Sequence, residues 1–214
     1  MRLLIMGAPG AGKGTQAAMI KNKYNIPHIS TGDMFRKAIN DATPLGVIAK
    51  SYIDKGNYVP DSITIELVKE RLSKSDCVNG FLLDGYPRTI DQAVALDDIM
   101  KELGIHLDGV IDIEVDDDYL IERITGRRTC PKCGASYHIS AFKPKVDGIC
   151  DVCGTSLIQR EDDKEETLKT RLINYYEKTE PVLNYYRKQG LVKSINGVGS
   201  IEEIFARVVK ELGE

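Results

Sequence analysis

The sequence predicts an α/β fold, a three-layer arrangement in which helices flank a mostly parallel five-stranded sheet that carries two inserts. Three observations lead there. Short apolar runs alternate with longer helical patterns along most of the chain, as in a parallel sheet covered on both faces. A glycine-rich loop joins the first run to the first helical pattern. Two stretches, 30–60 and 127–163, add no strand to the alternation. They read as a helical insert and a metal-stapled insert projecting from a core made of 1–29, 61–126 and 164–214.

In chain order, the apolar run 3–6 reads as a buried strand entering a turn at Gly7. The proline-free stretch 13–24 reads as a helix opening at the glycine loop. Further strands fit 26–29, 81–84, 110–114 and 191–195, and helical patterns cover 31–41, 45–55, 61–73, 89–103, 116–126, 164–188 and 200–212. The segment 127–163 is too short for a hydrophobic core of its own, so a metal must hold it. The acidic run Glu161-Asp162-Asp163-Lys164-Glu165-Glu166 reads mainly as a solvated helix start favoured by the helix dipole.

Composition narrows the function classes. With 29 Lys+Arg against 32 Asp+Glu in 214 residues, the net charge is −3, which argues against a protein built to grip nucleic acid. The hydrophobic share of 42% excludes a disordered chain. No apolar run approaches the roughly 18 residues of a membrane span. The apolar start is too short for a secretory signal, so a cytoplasmic protein is expected.

Cys130, Cys133, Cys150 and Cys153 read C-x2-C-x16-C-x2-C, each pair followed by glycine. Two such knuckles aim four thiolates at one centre, a closed tetrahedral shell suited to structural Zn2+, with no open position for catalysis; iron also accepts four thiolates. Cys77 stands apart and reads as a small buried hydrophobe, and His138 as a packing or surface histidine.

The run Gly7-Ala8-Pro9-Gly10-Ala11-Gly12-Lys13-Gly14-Thr15 follows a strand and opens a helix. That context makes a phosphate-binding loop: glycines turn successive N–H groups inward, the helix N-terminus adds partial positive charge, and Lys13 supplies a mobile ammonium. A nucleoside triphosphate is the expected ligand. Asp84 closes the third apolar run at the end where open α/β sheets place ligands. It either holds the waters around Mg2+ or caps the turn at Gly85-Tyr86-Pro87.

The loop, together with Ser30-Thr31-Gly32-Asp33-Met34-Phe35-Arg36, Asp84-Gly85-Tyr86-Pro87-Arg88, Glu122-Arg123-Ile124-Thr125-Gly126-Arg127-Arg128 and Arg160-Glu161-Asp162-Asp163, resembles the signatures of the adenylate kinase family. The likeness includes Lys13-Gly14-Thr15 and covers nearly the whole chain, and the four-cysteine insert resembles the zinc-bearing lid of bacterial long forms. It implies ATP + AMP ⇌ 2 ADP with Mg2+, a helical insert for the monophosphate, and closing flaps. It assigns Gly10, Ala11, Gly12, Lys13, Gly14 and Thr15 to the ATP phosphates, and Arg127, Ser136, Tyr137 and Gly199 to the ATP side. To AMP it assigns Thr31, Arg36, Asn57, Tyr58, Val59, Gly85, Tyr86, Pro87, Arg88 and Gln92, with Arg160 and Arg171 near the transferring phosphoryl. Lys13, Arg88, Arg123, Arg160, Arg171 and Asp84 form the implied catalytic set.

The chemistry suits these residue types. Phosphoryl transfer needs positioning and positive charge more than covalent work. A monophosphate, with its second pKa near ~6, is already an anionic nucleophile at pH 7. Arginine binds phosphate oxygens bidentately and keeps its charge. Arg123 and Arg127, four residues apart, share one helix face if that helix reaches the insert. Gln92 offers donor and acceptors for an adenine edge. A switch GTPase would need an Asn-Lys-x-Asp base reader, and Asn22-Lys23-Tyr24-Asn25 lacks the acid. Another nucleoside monophosphate kinase shares the architecture. A zinc-ribbon nucleic-acid binder would explain the cysteines, but 127–163 holds six Lys/Arg against five Asp/Glu, no basic patch. A monomer is expected, since large flap motions leave little fixed surface for a partner.

Overall fold

The computed structural model describes residues 1–213. Strand β1 (Arg2–Met6) leads through α1 (Lys13–Tyr24) to β2 (His28–Ser30), and α2 (Thr31–Asn40), α3 (Pro44–Ile53) and α4 (Asp61–Leu72) precede β3 (Phe81–Asp84). Helix α5 (Ile90–Glu102), β4 (Gly109–Glu114) and α6 (Asp117–Thr125) lead to two short strands, β5 (Arg127–Thr129) and β6 (Ser136–His138). Then come α7 (Glu165–Asn174), α8 (Glu180–Arg187), β7 (Val192–Asn196) and α9 (Ile201–Glu211).

Five strands form one sheet in the order β2-β3-β1-β4-β7, with every neighbouring pair parallel. The chain winds first to one side of β1 and then to the other, which opens a crevice at the carboxyl end of β1. The period of two along each strand sorts side chains onto two cores. Leu4, Met6, Phe81, Leu83 and Val110 pack with Val68, Leu96, Val182 and Tyr186 on one face. Leu3, Ile5, Leu82, Ile111 and Ile195 pack with Ala17, Ile20, Leu120, Ile204 and Val208 on the other. Each fully buried Leu or Ile contributes roughly 1.5–3 kcal/mol, so the sheet is the rigid floor on which the crevice rests. Among the described residues no helix is long and apolar enough to cross a membrane.

Four local expectations change. The second strand begins at His28 rather than Ile26; Pro27 has no N–H for the ladder, although its carbonyl accepts from Leu82 N at 2.9 Å. Helix α6 stops at Thr125, so Arg127 lies on β5 and does not share a helix face with Arg123. The cysteine segment carries its own antiparallel pair, β5 with β6, which is too short to signal itself by alternation. The single helix foreseen over 164–188 is a rod with a wide π-helical turn at Tyr175–Thr179 between α7 and α8. Pro181 cannot donate to the carbonyl of Glu177, and the wide turn absorbs that break in the ladder.

Candidate phosphoryl-transfer site

The glycine loop lies between β1 and α1 at the crevice. Helix α1 starts at Gly12 with no side-chain cap, so its first N–H groups stay available to an anion. Gly10 has φ +86°, and a Cβ there would fall 2.8 Å from Ile124 Cγ1 and 3.0 Å from Leu120 O; both conformation and space demand glycine. Ala11 is buried, with its N–H on Ala8 O at 3.1 Å, while Gly14 and Thr15 open the helix. Lys13 Nζ donates to Gly7 O at 2.7 Å and Ala8 O at 2.8 Å. Burial lowers its pKa to about 8; Asp84 opposes that, and Arg88, Arg171 and Arg127 reinforce it.

Arginines from three parts of the chain (Arg88, Arg127 and Arg171) therefore stand around one lysine. Asp163, wholly buried, takes Arg127 Nε at 2.8 Å, a second contact from Arg127 Nη2, and Arg171 Nη1 at 3.0 Å. Arg171 Nη1 also donates to the Asp162 carbonyl at 2.6 Å. Asp162 and Asp163 are both buried, which corrects the reading of 161–166 as mainly a solvated helix start; only its remaining members face water. Burial would push Arg127 down, but Asp163 outweighs it and raises the pKa. Arg160 has no such partner: its Nε is buried without a hydrogen bond. Burial, with Arg36 and Arg127 nearby, drops its pKa to about 9. Six cations (Lys13, Arg36, Arg88, Arg127, Arg160, Arg171) thus face four carboxylates (Asp33, Asp84, Asp162, Asp163), leaving two positive charges over. Such a surplus, partly buried, is stable only opposite an anion.

The residues foreseen on the AMP side divide by what their side chains do. Arg36 pairs with Asp33 at 2.6 Å, and Thr31 Oγ1 donates to Gly85 O at 2.8 Å. Arg88 Nε donates to Gly85 O at 2.8 Å. Val59 is buried with Phe35 and Ala49 inside the helical insert. Tyr86 is buried in the sheet core with its hydroxyl on Gln92 O at 3.0 Å, and Pro87 follows it in the turn. Gln92 is itself buried, its Oε1 accepting from Arg88 N and its Nε2 donating to Asp61 Oδ1, both at 2.7 Å. Its amide holds the 85–88 turn in place, leaving one N–H and one lone pair for anything else. Asn57 Oδ1 accepts from Asn174 Nδ2 at 3.3 Å.

On the other side, Arg123 gives both terminal nitrogens to Gly197 O at 3.2 Å, in the turn that contains Gly199. Ser136 is exposed, but the Tyr137 ring is buried against Phe142 and its hydroxyl accepts from Asp151 N at 2.9 Å. Its side chain builds the insert rather than lining the crevice. Asp84 Oδ2 meets His28 Nε2 at 3.2 Å, and its Oδ1 has no hydrogen-bond partner among the described residues, which leaves that oxygen free to accept. Composition carried no signal for His28, Tyr58's ring contact or Asp61, because each matters only through a neighbour distant in sequence.

The four cysteines of the insert converge, with all Sγ atoms within 4.8 Å of one another. Cys130 and Cys153 are 3.4 Å apart, and Cys133 and Cys150 3.5 Å. A tetrahedral shell with bonds of about 2.3 Å has sulfur–sulfur edges near ~3.8 Å, so the donor set fits a structural metal ion such as Zn2+. Gly134 (φ +77°) and Gly154 (φ +71°) close the two knuckles alike. Cys77 is buried as foreseen. His138 Nδ1 accepts from Ser140 N and Ala141 N at 3.2 Å, a packing role.

A family model described as adenylate kinase matches residues 5–191. The chain belongs to the adenylate kinase family. That family transfers a phosphoryl group reversibly between ATP and AMP, giving two ADP, and uses Mg2+ with ATP. The chain is 58% identical over 212 residues to an adenylate kinase of Carboxydothermus hydrogenoformans, covering 99% of each. It is 53% identical over 213 residues to one from Clostridium botulinum, covering 100% of this chain and 99% of the relative. The same identity and length hold for an adenylate kinase of Clostridium kluyveri, covering 100% and 98%.

Proposed function

We propose that this chain moves the terminal phosphoryl of ATP directly to AMP at the crevice over β1. The observation that carries this reading is the linked set of six cations and four carboxylates that includes Lys13, with Arg160 Nε buried and unpaired. Gly10–Thr15 hold the triphosphate, with Arg127, Ser136, the Tyr137 backbone and the turn at Gly199 on its outer side. Thr31, Arg36, the backbone of 57–59, 85–88 and Gln92 seat AMP. Arg88, Arg123, Arg160 and Arg171 spread the charge of the transferring group, and Lys13 swings from its loop carbonyls to the phosphates. No general base is required, because the acceptor phosphate is already anionic at neutral pH. Mg2+, when bound, neutralises charge on the phosphates, and Asp84 would hold its waters. The segments 30–60 and 127–163 act as flaps on a core of 1–29, 61–126 and 164–214; their closure excludes water, which would otherwise take the phosphoryl. The working unit is a cytoplasmic monomer that engages neither nucleic acid nor membrane.

A coupled assay with ATP and AMP, CMP, UMP or GMP tests the acceptor. AMP is expected to be used at least tenfold better than the others, and a faster rate with any other monophosphate contradicts the assignment.

A further inference from the structure

The geometry points to Tyr58 and Thr179 as positioning residues for Arg88, which tie the helical insert to the transfer centre; this rests on the reading of Arg88 given above. The Tyr58 ring lies against the Arg88 guanidinium, with Cζ 4.9 Å from the ring centroid. The Lys178 ammonium is 5.8 Å from the same centroid. The Tyr58 hydroxyl and Thr179 Oγ1 are 2.8 Å apart, and Thr179 Oγ1 donates to Arg88 O at 3.0 Å. A threonine hydroxyl has one proton, and here it goes to Arg88, so the Tyr58 hydroxyl is the donor to Thr179.

Arg88 is thus fixed from every side but one. Its N–H is on Gln92 Oε1, its Nε on Gly85 O, its carbonyl under Thr179, and its guanidinium face on Tyr58. Among the described residues its two terminal nitrogens donate to nothing, which leaves the fork free for a phosphate. Thr179 ends the wide π-helical turn, where an added residue re-aims a side chain, a common feature of functional sites.

The ring is not needed to anchor its own loop. Asn174 Nδ2 donates to Gly56 O at 3.1 Å and to Asn57 Oδ1 at 3.3 Å, fastening 56–57 to the end of α7 independently. The contribution of Tyr58 is therefore directional: Arg88 is aimed when the monophosphate-side insert is in place, and released when it is not. A cation over an aromatic face, partly desolvated, is strong enough to hold one guanidinium rotamer over others.

The test compares Tyr58→Leu, Tyr58→Phe and Thr179→Val, with Tyr58→Leu repeated in an Arg88→Gln background. Tyr58→Leu is expected to lower kcat/KM for AMP about tenfold, with the KM for ATP and the melting temperature unchanged. Tyr58→Phe, which keeps the ring, recovers most of that loss, and Thr179→Val falls between. In the Arg88→Gln background, itself strongly impaired, Tyr58→Leu adds less than about twofold, because a positioning residue has nothing left to position. If Arg88→Gln is impaired but Tyr58→Leu is not, the positioning role fails and the reading of Arg88 survives. A tenfold loss that persists without Arg88 would show Tyr58 acting on AMP itself, and overturns the proposal. Native turnover in Arg88→Gln would remove the site reading and this inference with it.

Discussion

The segments 127–163 and 30–60 both feed one charged cluster, Arg127 standing beside Lys13 and Arg36 beside Arg160 and Asp162, and they are packed by different physics. Inside the first, the buried cluster is Cys130, Tyr137 and Cys150, and large apolar residues such as Ile139, Phe142, Val146 and Val152 are exposed. Inside the second, Phe35, Ala49 and Val59 are buried and joined by Ile39, Leu45, Ile53 and by Ile63 and Leu67 of α4. The helical insert thus extends the apolar packing of the sheet domain, whereas the cysteine insert replaces a core with four thiolates. The lesson is that a segment of this size can stay rigid without a hydrophobic core of its own only if something else closes it, here four converging cysteines that fit a metal ion.

The largest effects come from breaking each insert by its own mechanism. Chelation of the metal, or Cys130→Ser, is expected to lower the melting temperature by at least about 8 °C, with much smaller loss of turnover at permissive temperature. Hydrogen exchange should rise across 127–163 and stay low in α2 and α3. Phe35→Ala should do the reverse: about 3–5 kcal/mol of destabilisation, faster exchange in α2 and α3, and unchanged protection around the cysteines. Unchanged thermal stability with abolished turnover in Cys130→Ser would contradict the metal's structural role.

A smaller effect belongs to the floor beneath both inserts. Burial, with Glu114 nearby, raises Asp112 from the ordinary 3.8 to about 6, although Arg187 and Lys13 pull the other way. Between those values the folded chain holds more protons than the unfolded one, so stability falls as pH rises through that window and the penalty is complete above about pH 6. Asp112→Asn is therefore expected to gain about 1 kcal/mol more at pH 7.5 than at pH 5, seen as roughly 3 °C in paired thermal melts. An equal change at both pH values would show that the carboxylate stays ionised throughout.

Much of this was legible in the sequence because it is local. The strand-loop-helix run around Gly7–Thr15 and the C-x2-C pairs encode their chemistry within a few residues, and the alternation of apolar runs encodes the parallel sheet. What failed to show is non-local. Asp162 and Asp163 look like any acidic helix start until Arg127 and Arg171 fold onto them. Gln92 reads as a free amide until Arg88 N and Asp61 occupy it. The wide turn at Tyr175–Thr179 depends on Pro181, whose effect on a helix is a kink or a bulge according to what packs beside it. Whether Arg127 shares a helix face with Arg123 turns on where α6 stops, and spacing alone does not tell that.

The central claim is direct transfer between two nucleotides held in one crevice, and the stereochemistry of transfer tests it most directly. With ATP made chiral at its terminal phosphorus by oxygen isotopes, one in-line displacement by AMP predicts inversion of configuration at phosphorus in the ADP formed. Net retention would reveal two displacements through a phosphorylated side chain and would contradict the account.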